Sequence, residues 1–459
     1  MNNKTILIRN ATIVNEGRSV VGSVLVVGDR IKEILPSEVP LPNVDEVIDA
    51  SGKWLIPGAI DDQVHFREPG APHKGTIATE SAAAVAGGVT SFLDMPNTQP
   101  PCCTIPLLCD KYERAAASAH ANYAFYLGAS HENIEEIKKV DATLIPGVKV
   151  FMGSSTGNML VEREEVLERI FQESPVLIAT HCEDEATIRQ NLLEAKSKYG
   201  NEIPPEMHPQ IRSREACLTS TQKAIALALK HHHRLHILHL STKEEVELLS
   251  KTMKETSIVS GEICVHHLFF TDQDYPKYGN LIKCNPAIKS MADREALRAA
   301  LRSGVVKVVA TDHAPHTLEE KQQPYLQAPS GLPIIQYSLP LMFGMAIESI
   351  FTPEEVVSFM CHAPAELFGI VDRGFIREGY YADLVLLDPN TPANSAQPDA
   401  LYTQCRWSPL SHLHIPISVS HTFVNGHLAY SAEKGVTPER FAQPLKFKSP
   451  FSILHSQFS

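Results

Sequence analysis

Residues 60–70 read IDDQVHFREPG and begin with the first of eight short β-rich segments that decide the fold, IDDQVHF. In an extended strand, side chains two residues apart point to the same face, so Asp61, Gln63 and His65 would lie together. A histidine at position 63 would complete a pair of metal ligands with His65, but the chain carries a glutamine there. A metal site at this position would therefore need ligands from other strands and would include a glutamine in place of one histidine.

Seven further β-rich segments follow this one, and predicted helices such as REEVLERIFQE (163–173) separate them. The segments are VTSFLDM (89–95), NYAFYLG (122–128), GVKVFM (147–152), VLIATH (176–181), RLHILHL (234–240), SIVSGEICVHH (257–267) and VKVVATDH (306–313). This alternation is typical of a parallel sheet, and eight repeats predict an α/β protein with a closed (β/α)8 TIM-type barrel. An open doubly wound sheet is the alternative, but no GxGxxG motif follows the first strand to support it.

The two ends of the chain have a different pattern. Short β-type runs with turn residues between them occupy residues 6–58 and return at 379–430. These runs predict a small β-sandwich domain formed by both termini. The expected domains are a composite β-sandwich of residues 1–56 and 377–459 and a barrel of residues 57–376.

Composition argues against several classes of partner. The chain has 459 residues and a formal net charge of -12, so we expect no general attraction to nucleic acid or to an anionic membrane. Because no apolar run approaches twenty residues and the first residues lack a signal-peptide pattern, we expect a cytoplasmic protein. Nine cysteines without CxxC spacing predict reduced thiols.

The predicted strands end in side chains that can bind a metal or a carboxylate. In a closed barrel these ends meet at one mouth, where imidazole nitrogens and carboxylate oxygens are the ligands that a catalytic Zn²⁺ uses. A single strand histidine is more often a packed or surface residue, and we keep that interpretation for His120, His131, His208 and residues 231–233. Joint placement favours a metal site for four residues on four strands, namely His65, His181, His239 and Asp312.

These motifs resemble the cyclic amidohydrolases, and among them most closely the dihydroorotases. The family pattern DxHxHxREPG is here DDQVHFREPG, and DMPNT (94–98), GVKVF (147–151), TDHAPH (311–316) and ADLVLLD (382–388) follow in family order. The resemblance implies a barrel with a β-sandwich built from both termini. It also implies that the enzyme interconverts dihydroorotate and N-carbamoyl-aspartate in pyrimidine biosynthesis.

The resemblance further implies the roles of individual residues. One or two Zn²⁺ ions would be bound by His65, Lys149, His181, His239 and Asp312, with Gln63 as a doubtful ligand. Lys149 stands where many family members carry a lysine carboxylated by CO₂, and Asp312 would also carry the proton to the leaving ring nitrogen. A small-molecule substrate with a carboxylate would be bound by Arg67, Asn97, Asn285 and His316. A homodimer fits the family.

Gln63 departs from the family pattern and leaves three arrangements open. Its amide oxygen ligates a metal, or one ion is held tightly and a second weakly, or the first metal position stays empty. Since an amide oxygen is a weaker donor to Zn²⁺ than imidazole, we expect the first position to be the weaker one.

Two alternative functions remain at this stage. The first is a catalytically inactive homologue that acts as a structural partner, which the loss of one ligand favours and the retention of the other site residues opposes. The second is an allantoinase or a hydantoinase, since these enzymes share the barrel. The DMPNT loop favours a dihydroorotase over an allantoinase, and Arg67 favours it over a hydantoinase.

Overall fold

The computed structural model describes residues 4–36, 42–153, 159–393 and 400–448. Its strands are β1 (Thr5–Asn15), β2 (Arg18–Val27), β3 (Arg30–Pro36), β4 (Glu46–Asp49), β5 (Trp54–Pro57), β6 (Ala59–Val64), β7 (Val89–Asp94), β8 (Asn122–Phe125), β9 (Leu127–Gly128), β10 (Val148–Phe151), β11 (Ile178–His181), β12 (Leu235–Ile237), β13 (Val259–Cys264), β14 (Val308–Ala310), β15 (Leu384–Asp388), β16 (Ser418–Val424), β17 (His427–Ser431) and β18 (Gly435–Val436).

Helices separate the central strands of this series. They are α1 (Ile77–Ala86), α2 (Ile105–Ser118), α3 (Ile134–Ile137), α4 (Glu164–Glu173), α5 (Glu185–Tyr199), α6 (His208–Ile211), α7 (Arg214–His231), α8 (Lys243–Thr252), α9 (Val265–Phe269), α10 (Tyr275–Tyr278), α11 (Met291–Arg302), α12 (Leu318–Lys321), α13 (Ile335–Ile347), α14 (Pro353–Val357) and α15 (Ala363–Phe368). None of the helices in the described ranges combines the length and the apolar composition needed to cross a membrane.

Strands β6 to β14 form the barrel. Strands β6, β7 and β8 pair in parallel, as do β9 to β14. Only Tyr126 separates β8 from β9, so these two short strands together form the third of the eight barrel strands. The wall closes where Val64 pairs in parallel with His313 and the His65 amide donates to the His313 carbonyl at 2.8 Å. The predicted closed (β/α)8 barrel is therefore confirmed, and the open sheet is wrong.

Successive side chains of the barrel strands point alternately to the outer layer, which packs against the helices, and to the barrel interior. Val148, Val150 and Ile178 belong to a large apolar cluster that includes helix residues such as Leu167. Residues of opposite parity, such as Ala179, belong to a second apolar cluster inside the barrel. Since both faces of the wall are covered, strands such as β7 and β10 are buried at every position.

The strands of the two termini join in one sheet, with the order β18-β17-β16-β15-β5-β1-β2-β3 and with β4 beside β1. The connection between the two ends of the chain is the antiparallel pairing of β5 with β15, in which Leu55 faces Leu386. Both residues lie in a separate apolar cluster with Ile8 and Phe423. Both termini thus contribute to one β structure, while the exact domain limits stay a prediction.

A buried ion pair fixes the ends of the first two barrel strands. Lys111 of α2 donates to Asp94 Oδ2 at 2.5 Å and to the Met95 carbonyl at 2.9 Å. Asp94 Oδ1 accepts the Phe66 amide at 2.9 Å, so one carboxylate joins β6, β7 and α2. Both charged side chains are almost completely buried.

Replacing Lys111 with Met should lower the free energy of unfolding by about 3–5 kcal/mol, because it leaves the buried Asp94 charge without its partner. Urea denaturation followed by circular dichroism measures this loss. Arg114→Met is the control, since it removes a solvent-exposed pair with Asp110 and should cost less than about 1 kcal/mol. Equal losses in the two variants would contradict the structural role of the pair.

Candidate metal centre

The predicted metal-binding residues lie at the carboxyl ends of five barrel strands, and each of them is buried. They are Gln63 and His65 at β6, Lys149 in β10, His181 at β11, His239 after β12 and Asp312 after β14. The turn that carries His239 is short because the Thr242 hydroxyl accepts the Glu245 amide at 3.2 Å and begins α8 there. The structure therefore gathers these six residues at one end of the barrel.

His65 and Asp312 form the first pair of candidate metal ligands at this end of the barrel, which we call the rim. The Nε2 atom of His65 lies 2.9 Å from Asp312 Oδ1, and its Nδ1 atom lies 2.6 Å from Asn97 Oδ1. Since the Asn97 carbonyl oxygen can only accept, His65 carries its proton on Nδ1 when it is neutral. A lone pair on Nε2 and a carboxylate oxygen then face each other, which is the arrangement that a cation between them stabilises.

His181 and His239 form the second pair. His181 Nδ1 lies 3.0 Å from His239 Nε2, and His181 Nε2 lies 3.0 Å from Glu183 Oε2. Donation from Nε2 to this carboxylate leaves a lone pair on Nδ1, as in the carboxylate–histidine–metal arrangements of many metalloproteins. Burial lowers the pKa of both imidazoles, so both are neutral and able to bind a metal at neutral pH.

Glu183 is itself held in place by an ion pair with Arg212. Burial would raise the pKa of the Glu183 carboxyl, but Arg212 and His181 overcome this effect and bring it down to about 2. The carboxylate is therefore ionised at neutral pH and can accept the His181 proton. The ion pair fixes the tautomer of a predicted ligand without being a ligand itself.

Lys149 interacts electrostatically with residues of both pairs, namely Asp312, His181 and His239. Its side chain is completely buried, and burial lowers the pKa of its amine to about 8, while Asp312 opposes this change. The positive charge of Lys149 in turn lowers the pKa of both His181 and His239. An amine with this pKa is partly neutral near physiological pH, and the neutral form is the one that can react with CO₂.

Gln63 has its amide nitrogen, and not its oxygen, directed at the first pair. Its Nε2 atom donates to Asp312 Oδ1 at 3.2 Å, and its Oε1 atom lies 3.9 Å from the Cys264 thiol. In this orientation the glutamine supplies a hydrogen bond to Asp312 where a histidine would supply a lone pair. A metal ion bound by His65 and Asp312 would therefore have one ligand fewer from β6 than it would with a histidine at position 63.

Three site residues have left-handed backbone conformations, which non-glycine residues rarely adopt. The φ angles are 66° at Arg67, 41° at His239 and 48° at Asp312. Each residue follows a barrel strand, and the turn redirects its side chain. Strain of this kind is concentrated at functional sites, because the surrounding structure must hold it in place.

Arg67 is buried beside a cavity of about 370 Å³ that Asn97, His316, Lys74 and Met159 also line. Its guanidinium donates to the Pro315 carbonyl at 3.0 Å and contacts His316 Nε2 at 3.0 Å. Within the described part of the chain, no carboxylate lies within 4 Å of it. Burial lowers the pKa of Arg67 to about 10, so a charged guanidinium faces the cavity without an anionic partner.

The remaining predicted substrate residue lies elsewhere. Asn285 is not among the residues that line this cavity, and its buried Oδ1 has no hydrogen-bond partner in the described structure. The structure thus brings Arg67, Asn97 and His316 to one cavity, and Asn285 is not among its lining residues.

Several residues of the site were missed by sequence reasoning. Lys74 contacts His316 Nδ1 at 3.1 Å and forms an ion pair with Glu320 at 2.8 Å, and no motif indicated it. Glu183 follows His181 by two residues, a spacing that could have indicated a supporting carboxylate. Cys264 was also missed. Its thiol and the imidazoles of His266 and His267, which end the seventh predicted strand, have ligand atoms within 4.8 Å of one another beside Gln63.

Comparison with known proteins places this site in a family. Residues 54–429 match the amidohydrolase family over most of the chain. The chain is a member of the amidohydrolase family. The dihydroorotase of Halobacterium salinarum is 33% identical over 393 residues, which cover 84% of this amidohydrolase and 89% of the relative. The dihydroorotase of Enterococcus faecalis is 30% identical over 435 residues, which cover 93% and 99%.

Solved structures agree with the fold of this amidohydrolase. The L-hydantoinase (dihydropyrimidinase) of Arthrobacter aurescens superposes with a TM-score of 0.90 at 25% identity and covers 97% of this chain and 100% of its own. The dihydropyrimidinase of Brevibacillus agri has a TM-score of 0.88 at 24% identity, with 97% and 99% covered. The predicted resemblance is confirmed, and the protein is a hydrolase that acts on cyclic amides.

Replacing Glu183 with Gln should weaken the binding of Zn²⁺ by this amidohydrolase about 10- to 100-fold, because the amide no longer fixes the His181 tautomer. Competition with a chromophoric chelator measures the dissociation constant. Glu185→Gln is a matched control on the same segment and should leave the affinity unchanged. An unchanged affinity in the Glu183 variant would contradict the supporting role assigned to this carboxylate.

Proposed function

We propose that this amidohydrolase is a dihydroorotase, which opens the ring of dihydroorotate to N-carbamoyl-aspartate and closes it in the reverse direction. The observation that carries the proposal is the buried Arg67 guanidinium, which faces a cavity without an anionic partner. Dihydroorotate bears a carboxylate on its ring, whereas dihydrouracil and hydantoin do not. The names of the relatives from Halobacterium salinarum and Enterococcus faecalis support the same substrate.

The donor set at the rim fits divalent cations of the zinc type. His65 and Asp312 would hold one ion, His181 and His239 the other, and Lys149 would lie between them, carboxylated by CO₂. Neutral imidazoles with ordered tautomers and a carboxylate are ligands that Zn²⁺ binds well. Bound there, a divalent cation polarises the substrate carbonyl and supplies a water nucleophile with a lowered pKa.

The residues of the chain position the substrate and move the proton. Arg67 binds the ring carboxylate with the planar fork of its guanidinium, and Asn97 and His316 complete the anion-binding side of the cavity. Asn97 also contacts His65, so the cavity and the metal centre share one side chain. Asp312 accepts the proton of the attacking water and transfers it to the leaving ring nitrogen.

The orientation of Gln63 supports the arrangement with unequal metal positions. The amide nitrogen of Gln63 already donates to Asp312, and turning its oxygen to that side would give up this hydrogen bond. We therefore assign the tightly held ion to His181 and His239 and a weaker one to His65 and Asp312. An inactive structural homologue is the rival interpretation. The retention of a buried Arg67 without an anionic partner opposes it, because burying a charge is costly and a structural role does not require it.

A hydantoinase or dihydropyrimidinase is the second candidate function. The structural likeness to the Arthrobacter aurescens enzyme, with a TM-score of 0.90, favours it. A ring without a carboxylate would leave the Arg67 charge unpaired in the complex, which costs binding free energy. An allantoinase lacks a comparable observation in its favour.

The purified protein, supplied with Zn²⁺ and bicarbonate, should hydrolyse dihydroorotate faster than dihydrouracil or allantoin. Arg67→Met should raise KM for dihydroorotate about 10- to 100-fold, because a charged bidentate contact contributes about 1.5–3 kcal/mol. Hydrolysis of dihydrouracil serves as the internal control and should change little. Spectrophotometry at the absorbance of the ring amide measures both reactions.

Two results would contradict the proposal in different ways. Background activity on all three substrates would favour the inactive homologue. Equal losses on dihydroorotate and dihydrouracil in the Arg67 variant would remove the assigned role of the guanidinium and favour a substrate without a carboxylate.

Gln63→His should increase the amount of tightly bound zinc by one equivalent per chain, because an imidazole restores the missing donor beside Asp312. Elemental analysis of the wild type and the variant after equilibration with limiting Zn²⁺ measures the difference. Gln63→Leu is the control, since it removes the hydrogen bond to Asp312 without adding a donor. The same zinc content in Gln63→His and Gln63→Leu would contradict the assignment of position 63 as the weakened ligand position.

A further inference from the structure

Inside the barrel, below the rim, lies a second group of polar side chains that the proposed reaction does not use. Asp62 of β6, His236 of β12 and Glu262 of β13 are each completely buried. Their ligand atoms lie within 4.8 Å of one another. Apolar side chains of the barrel interior surround them, among them Phe368, whose ring lies 5.8 Å from that of His236.

Hydrogen bonds to Ser260 fix the tautomer of His236. The Ser260 hydroxyl donates to the Leu235 carbonyl at 3.2 Å, so its oxygen accepts the Nδ1 proton of His236 at 2.9 Å. The Nε2 atom of a neutral His236 then presents a lone pair. This lone pair faces Glu262 Oε2 at 3.0 Å and Asp62 Oδ2 at 3.5 Å.

One imidazole nitrogen and two carboxylates therefore converge in the apolar interior. In the described structure neither carboxylate oxygen of Asp62 has a hydrogen-bond partner. Buried charges are normally paired, hydrogen-bonded or bound to a metal, because the loss of hydration costs several kcal/mol per ion. The group needs a proton or a metal ion at the point where these three side chains meet.

The spacing of the three atoms fits a metal ion. A cation about 2.1 Å from each ligand atom requires separations of about 3.0–3.4 Å between ligands, for octahedral and tetrahedral geometry respectively. The observed separations from His236 Nε2 are 3.0 and 3.5 Å. The contact between His236 Nδ1 and Ser260 is the kind of outer hydrogen bond that orients metal-binding imidazoles.

We propose that Asp62, His236 and Glu262 bind a divalent cation inside the barrel, separate from the ions at the rim. One imidazole and two carboxylates suit Zn²⁺ or Mn²⁺. The ion joins β6 to β12 and β13, which are not its neighbours in the wall, and so ties opposite sides of the barrel together. The proposal does not depend on the substrate, because none of the three residues lines the cavity beside Arg67.

Protons in place of a metal are the rival explanation. A neutral Glu262 could donate to Asp62, and the group would then be a closed hydrogen-bond network. Metal content, the position of the ion and the response of stability to metal removal distinguish the two explanations.

The first experiment locates the ion in the full-length protein. Crystals grown with Zn²⁺ or Mn²⁺ should give an anomalous difference peak about 2.1 Å from His236 Nε2, in addition to peaks at the rim. The variant Asp62→Asn/Glu262→Gln should lose that peak and one equivalent of metal by elemental analysis. The control His181→Ala/His239→Ala should lose metal only at the rim. A wild-type map without density at His236 would overturn the proposal.

The second experiment measures whether the substitutions at the interior site raise or lower Tm. The background is His181→Ala/His239→Ala, so that loss of the rim ion does not contribute to the change in Tm. With Zn²⁺ present, adding Asp62→Asn/Glu262→Gln should lower Tm, because the interior ion is lost. After chelation the same substitutions should leave Tm unchanged or raise it, because they remove two buried acceptors. An equal effect with and without Zn²⁺ would overturn the proposal. If the variant does not fold, the wild-type map decides.

Discussion

Closure of the barrel between β14 and β6 is the constraint on which the site depends. The Val64–His313 pairing and the hydrogen bond from the His65 amide to the His313 carbonyl join the first and last strands of the wall. The neighbouring side chains of these two strands, His65 and Asp312, are more than two hundred residues apart in sequence. Only closure brings them to 2.9 Å from each other. An open sheet with the same strands would leave them at opposite edges.

Hydrogen bonds from neighbouring side chains orient the imidazoles at the rim for metal binding. Asn97 and Glu183 each fix one imidazole so that its lone pair faces another donor. The same logic recurs in the interior, where Ser260 fixes His236.

Much of the fold could be predicted because the barrel strands appear as short β-rich segments between predicted helices, and eight such repeats favour a closed barrel over an open sheet. The rim residues could be predicted from the ends of those segments. The orientation of Gln63 could not, because it depends on Asp312 and Cys264, which lie on other strands. Lys74 and the group around His236 were missed for the same reason, since their partners come from segments distant in sequence. The cytoplasmic location and the homodimer stay predictions.

The central claim is that donors from separate strands hold a common divalent cation at the rim. X-ray absorption at the zinc edge tests it most directly, on Asp62→Asn/Glu262→Gln loaded with one equivalent of Zn²⁺, because this variant lacks the proposed interior site. The account predicts two imidazoles, with oxygen and nitrogen at about 2.0–2.1 Å and no sulfur. A sulfur scatterer at about 2.3 Å would place the ion at Cys264, His266 and His267 and would contradict the assignment to His181 and His239.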